Sequence, residues 1–295
     1  MRVTQRNKRK GTVSNTMSNN LTSYKASAKG KVIVQSAGHG GLNKFDPGAV
    51  GLIREHDEAV KLTLKVREYL TSWGVDNHLI IDTSTRSVNA NVNWLSAQHV
   101  RYEELYGING VLHYQTHFNS IGGGTQTRDI GTEALHFSDS TRHLAQSLAN
   151  AMSSSAGFTN RGAKVRKDLG FLRKPMGKAV LAEVCFVNSK ADVDKYRKNF
   201  DRLAHSMAYN MAINGGWKLV EKPMGNTPSG VTQKDGDMEM KLTPTQQKDA
   251  KKLFGHAYAT GVFSADHSKN VGKMTRGEAS MLLMQYMART ETKGK

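Results

Sequence analysis

The chain has 295 residues, 42 Lys and Arg against 25 Asp and Glu, a formal net charge of +17 and a single cysteine. One cysteine excludes a disulfide framework and any cysteine-rich metal site. No apolar run nears the ~18 residues of a membrane helix, and the composition fits neither a collagen, a coiled coil nor a wholly disordered chain. The positive surplus points to polyanionic partners: nucleic acid, an anionic membrane surface or the anionic polymers of a bacterial wall.

In chain order, residues 1–30 read as a basic flexible arm. Through Lys31 the chain carries eight Lys and Arg and no acid, is rich in Ser, Asn and Thr, and lacks apolar periodicity. It also lacks the apolar stretch of a secretory signal. Residues 31–221 alternate strand and helix. VIVQ at 32–35 reads as a strand ending in a Gly-rich turn at 38–41. Ala59, Leu62, Val66, Leu70 and Trp73 mark an amphipathic helix over 52–73. A strand at 79–82, a helix near 90–106 and a buried strand at 109–116 follow. Ser138 caps a helix whose face is Leu144, Leu148 and Met152, and 179–187 reads as a central strand. Ser189 and Asp192 resemble a capping box before one long helix through Val193, Tyr196, Phe200, Leu203 and Met207. The pattern predicts an α/β fold with a mostly parallel sheet flanked by helices, whose sites gather at the C-terminal ends of strands. Residues 222–240 read as a linker. Residues 241–295 read as a small helical domain with amphipathic stretches at 245–260 and 275–289.

The chemistry-bearing residues sit on those strand ends. His39 follows the first strand inside Gly38-His39-Gly40-Gly41, Glu55 opens the first long helix, His117 ends the strand 109–116, and Glu183 interrupts the most apolar strand. Each has a plain structural reading: a turn histidine, a helix N-terminal acid, a core histidine. Glu183 is hardest to explain that way, because a carboxylate among apolar residues needs a cation, a metal or a proton. Two imidazoles and a carboxylate suffice for a catalytic Zn²⁺ with an open position, and a further Glu suits the general base. Cys185, two residues after Glu183, shares its face by strand alternation; it reads as a small buried hydrophobe rather than a nucleophile. The triple glycine 122–124 reads as a flexible cleft rim.

The ordered run SAGHGG (36–41), REHDEA (54–59), QTHFNS (115–120), GTEALHF (131–137) and LAEVCFVNSKAD (181–192) resembles the zinc-dependent N-acetylmuramoyl-L-alanine amidases of the amidase-3 family, found in phage endolysins and bacterial autolysins. The resemblance covers about 31–215. It implies one Zn²⁺ held by His39, Glu55 and His117, with Glu183 as catalytic glutamate. Glu58, three residues after Glu55 on nearly the same helix face, competes with it. Ser36-Ala37 stands where the family usually has Asp-Pro, and Thr116 where many members have a small residue with a Ser before it. The implied reaction is hydrolysis of the amide between the N-acetylmuramic acid lactyl group and L-alanine. Arg166 and Arg173, from the basic segment 164–174, and Asn119 are the candidate substrate-binding residues.

The C-terminal region resembles one S-layer-homology-like, wall-binding unit; a helical hairpin docked on the catalytic part, or a dimerisation unit, remains open. Peptidoglycan, with anionic wall polymers, is the expected partner, and no specific nucleic acid or membrane span is expected. Localisation is expected to run from host cytoplasm to cell wall, in the manner of a released lysin. The alternatives are another zinc carboxypeptidase or amidohydrolase on the same scaffold, and a non-enzymatic polyanion binder.

Overall fold

In the computed structural model, which describes residues 21–222 apart from Leu42, Lys44 and Met176, the frame is a six-stranded sheet. A separate two-stranded ribbon pairs β1 (Tyr24–Ala28) with β8 (Lys218–Glu221), antiparallel. The sheet contains β2 (Val32–Ala37), β3 (Asn77–Ile80), β4 (Val111–Asn119), β5 (Thr132–His136), β6 (Asn160–Val165) and β7 (Lys178–Phe186), in spatial order β3-β2-β4-β7-β5-β6. Only β5 against β7 is antiparallel; the other pairings are parallel, as the α/β reading expected.

Both faces of the sheet are covered, the usual condition for a parallel sheet. One layer holds α1 (Glu55–Ser72), α3 (Asp139–Ala156), α5 (Lys190–Lys198) and α6 (Phe200–Asn214), whose buried Leu62, Val66, Leu148, Met152, Tyr196 and Met207 pack on Ile33, Leu112, Tyr114, Val180, Ala182 and Val184 of the strands. The opposite layer holds α2 (Val88–Tyr106) and α4 (Gly170–Arg173). There Leu95 packs with Val32, Val34 and Val111, and Phe171 and Leu172 with Ala179 and Leu181. Strand alternation therefore aims Ser36, His113, Gln115, His117 and Glu183 toward the α2 and α4 side.

The structure corrects several expected boundaries. The arm does not extend to residue 30: Tyr24–Ala28 forms a strand held by β8, and Tyr24 packs edge-on against Trp73, with ring centroids 5.2 Å apart. The helix expected through Met207 is two helices, broken at Asn199, whose side-chain amide donates to Ala156 O and Lys195 O and so ties the break to the end of α3. Ser189 does cap α5 through Asp192 N–H. The Asp192 carboxylate does not return the bond; it accepts from Ile130, Gly131 and Phe186 N–H, fastening the approach to β5 onto the end of β7. The linker at 222–240, but for Lys222, and the helical unit at 241–295 lie outside the described residues.

Leu148 is wholly buried between α3 and the sheet. Leu148→Ala is expected to lower the unfolding free energy by about 2–5 kcal/mol, the range for leucine truncation in a packed core, read from urea denaturation at constant m-value.

Candidate active site

The tips of three adjacent parallel strands, β2, β4 and β7, carry the site. Just past β2, His39 adopts a left-handed backbone with φ 61°, a conformation rare outside glycine that here turns its ring back over the strand ends. Two glycines make room. A Cβ on Gly38 would lie 2.2 Å from the His117 ring, and one on Gly48, itself at φ 66°, would lie 2.5 Å from Glu55 Oε2 and 2.7 Å from His39. The His56 ring donates through Nδ1–H to Gly38 O at 2.8 Å, and the Asn91 side-chain amide donates to His39 O at 3.0 Å, bracing this turn from α1 and α2.

Glu55 is the first residue of α1 and is almost completely buried. Its Oε2 accepts from Ala49 N–H at 2.7 Å and its Oε1 from Phe118 N–H at 3.1 Å. The same Oε1 lies 3.1 Å from His39 Nε2 and 2.9 Å from His117 Nδ1. Donor atoms of His39, Glu55 and His117 all fall within 4.8 Å of one another. Each imidazole also has an outward partner: Asp46 Oδ2 sits 2.8 Å from His39 Nδ1, and Gln115 Oε1 sits 3.0 Å from His117 Nε2. Those partners can hold the outer ring proton, so that loss of the inner proton, shared with Glu55 when no metal is bound, would leave one bare nitrogen per ring pointing inward, the arrangement metal-binding histidines require. The set suits a divalent metal ion.

Without a metal, the cluster holds itself by charge. Burial disfavours the charged His39, but hydrogen bonds and charge from Glu55 and Asp46 outweigh it and raise its pKa to about 9. Burial would raise the Glu55 carboxyl, yet His117 and His39 hold it well below the ordinary range.

Glu183 stands opposite His117 in the β4–β7 register and opposite Glu133 in the β7–β5 register. Burial, then the charges of Glu55 and Glu133, raise its pKa to about 8. Its Oε2 is buried and has no hydrogen-bond partner among the described residues. The four residues singled out in the sequence thus meet at one place. Glu58 does not join them: it accepts from Tyr196 O–H at 2.7 Å. Beyond Glu183 a bulge sets two residues of β4 against three of β7, with His117 facing Glu183 and Asn119 facing Phe186. The bulge breaks the alternation expected to put Cys185 on the Glu183 face. Cys185 packs beside Val184 in the main core, fully buried, with its thiol pushed well above the usual range by that burial.

The substrate-binding candidates divide. Asn119 donates to Glu133 Oε1 at 3.1 Å. Arg166 pairs through two bonds, 2.9 and 2.8 Å, with Asp168, and its charge reaches Glu183 and Glu133. Arg173 is exposed on α4, and no side-chain hydrogen bond or ion pair ties it to the cluster among the described residues. Three contributors escaped the sequence reading: Asp46, Gln115 and Glu133, the last anchored by Arg161 at 2.7 Å. A charged residue inside TEALH was the available sign for Glu133.

The family model for N-acetylmuramoyl-L-alanine amidase matches residues 33–214. The chain belongs to this family. It is therefore an amidase acting on peptidoglycan, and the cluster lies inside the matched region. Its fold is that of the catalytic domain of the CD27L endolysin targeting Clostridia difficile, with 21% identity, TM-score 0.53, and coverage of 62% of this chain and 97% of that one. It is likewise that of the catalytic domain of CwlV, the amidase from Bacillus (Paenibacillus) polymyxa var. colistinus, with 22% identity, TM-score 0.50, and coverage of 64% and 99%. An uncharacterised protein of Clostridium perfringens (strain 13 / Type A) is 28% identical over 248 residues, 83% of this chain and 67% of that protein. A second, 38.4 kDa protein of Clostridium perfringens is 29% identical over 178 residues, 57% of this chain and 48% of its own length.

The two raised pKa values predict a pH dependence of stability for the chelated protein. Folded Glu183 keeps its proton to about pH 8 and folded His39 to about pH 9, whereas their ordinary values are 4.5 and 6.5. The fold then binds more protons than the unfolded chain across that span, so stability falls as pH rises through it. Urea unfolding in chelator is expected to show a loss of several kcal/mol, at most about 7 from the two shifts together, between about pH 5 and pH 9; a flat or rising profile contradicts this assignment.

Proposed function

We propose that the chain hydrolyses the amide between the lactyl group of N-acetylmuramic acid and the L-alanine of the stem peptide, using one Zn²⁺ held by His39 Nε2, Glu55 Oε1 and His117 Nδ1. The observation that carries this reading is the convergence of those three donors within 4.8 Å, with Asp46 and Gln115 orienting both rings from behind. Two nitrogens and one oxygen match a catalytic zinc set that keeps a position open. When bound, Zn²⁺ supplies a Lewis acid for the scissile carbonyl and an acidified water.

Glu183 is the general base. Its Oε2 has no hydrogen-bond partner among the described residues, and the residue pairs in register with His117 on the same face of the sheet, which supports its accepting the proton of the attacking water and handing it to the alanine nitrogen as the amide breaks. Glu55 and Glu133 raise its proton affinity. Once the charge of Glu55 is neutralised by a cation, that push weakens and Glu183 is freed to act as a base. Arg166, whose charge reaches Glu183, and Asn119, bonded to Glu133 at the bulge, are the candidates to hold substrate carboxylates or the developing oxyanion. Arg173 remains a candidate for the more distant peptide. The site of action is the cell wall, with anionic wall polymers as further partners and lysin-type release from a host cytoplasm as the route.

Purified peptidoglycan incubated with the protein is expected to yield new N-terminal alanine, lost with chelator and restored by Zn²⁺. Glu183→Gln should lower kcat by about 10²–10⁴-fold while binding one equivalent of zinc. His39→Ala and His117→Ala should fail to retain the metal. New reducing sugar ends, new amines from within the stem peptide, or chelator-resistant turnover would overturn the reading.

A further inference from the structure

On the α2-facing side of the sheet lies a row of buried polar side chains of which the chemistry above uses only Gln115. Glu103 and His99 come from α2, Ser36 from β2, and His113 and Gln115 from β4; all are buried. They hydrogen-bond in sequence. Glu103 Oε1 meets His113 Nε2 at 3.0 Å, His113 Nδ1 meets His99 Nδ1 at 3.0 Å, and His99 Nε2 meets Ser36 Oγ at 2.9 Å. Ser36 Oγ meets Gln115 Nε2 at 3.2 Å, and Gln115 Oε1 meets His117 Nε2 at 3.0 Å. The row ends on the metal-site histidine.

Its direction is set from both ends. Glu103 Oε1 already accepts from Gly177 N–H at 2.6 Å, so it faces His113 as an acceptor and His113 Nε2 must carry a proton. A neutral His113 then has a bare Nδ1, which makes His99 the Nδ1–H donor and leaves its Nε2 bare. Ser36 gives its one hydroxyl proton to that nitrogen and accepts from the Gln115 amide. Gln115 turns its carbonyl to His117, whose Nε2 must be the donor. From the opposite end the requirement is the same: His117 Nδ1 must be bare toward the metal, so Nε2 carries the proton. Burial supports the neutral rings that this needs. It holds His99 well below the usual histidine range, with His113 adding to the effect, and it outweighs Glu103 in lowering His113.

We infer that Glu103, His113, His99, Ser36 and Gln115 form a one-directional hydrogen-bond chain that positions the third metal donor, holding His117 with Nε2–H outward and Nδ1 free for the metal. This rests on the metal-site reading above. The five are positioning residues, for none touches the reacting atoms.

The test uses the full chain loaded with Zn²⁺ and ¹⁵N-labelled at histidine. Long-range ¹H–¹⁵N spectra are expected to show Nδ1–H on His99 and Nε2–H on His113; the opposite tautomer on either ring overturns the inference without any variant. Zinc affinity is then measured by competition with a chelator. Glu103→Gln offers His113 an amide donor and so invites the row to reverse, and Ser36→Ala cuts it. Each is expected to weaken Zn²⁺ binding about 10–100-fold, and Glu103→Gln to shift the His113 and His99 tautomers. Lower thermal stability with unchanged zinc affinity and unchanged tautomers means the row is structural only, and refutes it. A wild-type chain that takes up no zinc removes the metal-site reading and this inference with it, an outcome distinct from variants that bind as tightly as wild type.

Discussion

The buried carboxylate of Glu55, gripped between two imidazoles at the strand tips, is the constraint around which this end of the molecule is built. An isolated buried charge would be very costly. Glu55 avoids that cost by taking backbone N–H groups from Ala49 and Phe118 and by facing His39 and His117. The rest of the local chain follows from keeping those groups together. His39 accepts a left-handed backbone, Gly38 and Gly48 give up side chains, and α1 begins where its first residue can lean over β4. Asp46 and Gln115 then settle which nitrogen of each ring faces inward. Metal chemistry and fold geometry are here one requirement, because the same contacts that tolerate the buried charge without a metal present the donors that would hold one.

The second buried acid is treated in the opposite way. Among the described residues Glu183 receives no compensating hydrogen bond at Oε2, and its neighbours across the sheet include another carboxylate, Glu133. Glu133 is itself satisfied by Arg161 and Asn119, so the field it exerts on Glu183 is fixed rather than negotiable. Two acids, one opening α1 and one on β7, thus have divergent proton affinities, one held down by imidazoles and one pushed up by burial, the divergence that the proposed division into ligand and base requires.

Much of this was legible in the sequence because the carriers broke local rules. A glutamate inside AVLAEVCFV and a histidine between glycines are hard to place in a core or a turn without a further role. Strand and helix alternation gave the parallel sheet, and the sheet gave the neighbourhood. What stayed hidden depended on contacts with no local signature. TEALH and NRGAKV carry too much polarity to read as strands, yet the first pairs with β7 and the second with the first, because a short antiparallel neighbour suffices there and the edge strand can be wet. The bulge that sends Cys185 into the core depends on β4 pairing, not on β7's own sequence. Asn199 ends a helix in mid-pattern because its amide finds α3, a partner 43 residues away. Gln115, Ser36 and His99 looked like ordinary polar residues until three elements brought them into line.

The two flanking segments join the catalytic body at one place, and that place is remote from the chemistry. Tyr24 pairs with Glu221, and Lys222 N–H donates to Ser23 O, so the chain enters and leaves the described body side by side on the β1–β8 ribbon. Ala26 N–H donates to Trp73 O, which fixes the ribbon to the C-terminal end of α1. Glu55 occupies the other end of the same helix, 18 residues long, about 27 Å away at 1.5 Å per residue. The described body therefore begins and ends opposite the cluster of His39, Glu55 and His117. Basic residues before β1, or a wall-binding unit after β8, would act on catalysis through reach and local concentration, while among the described residues the proposed donors, base and orienting partners all come from within 38–183.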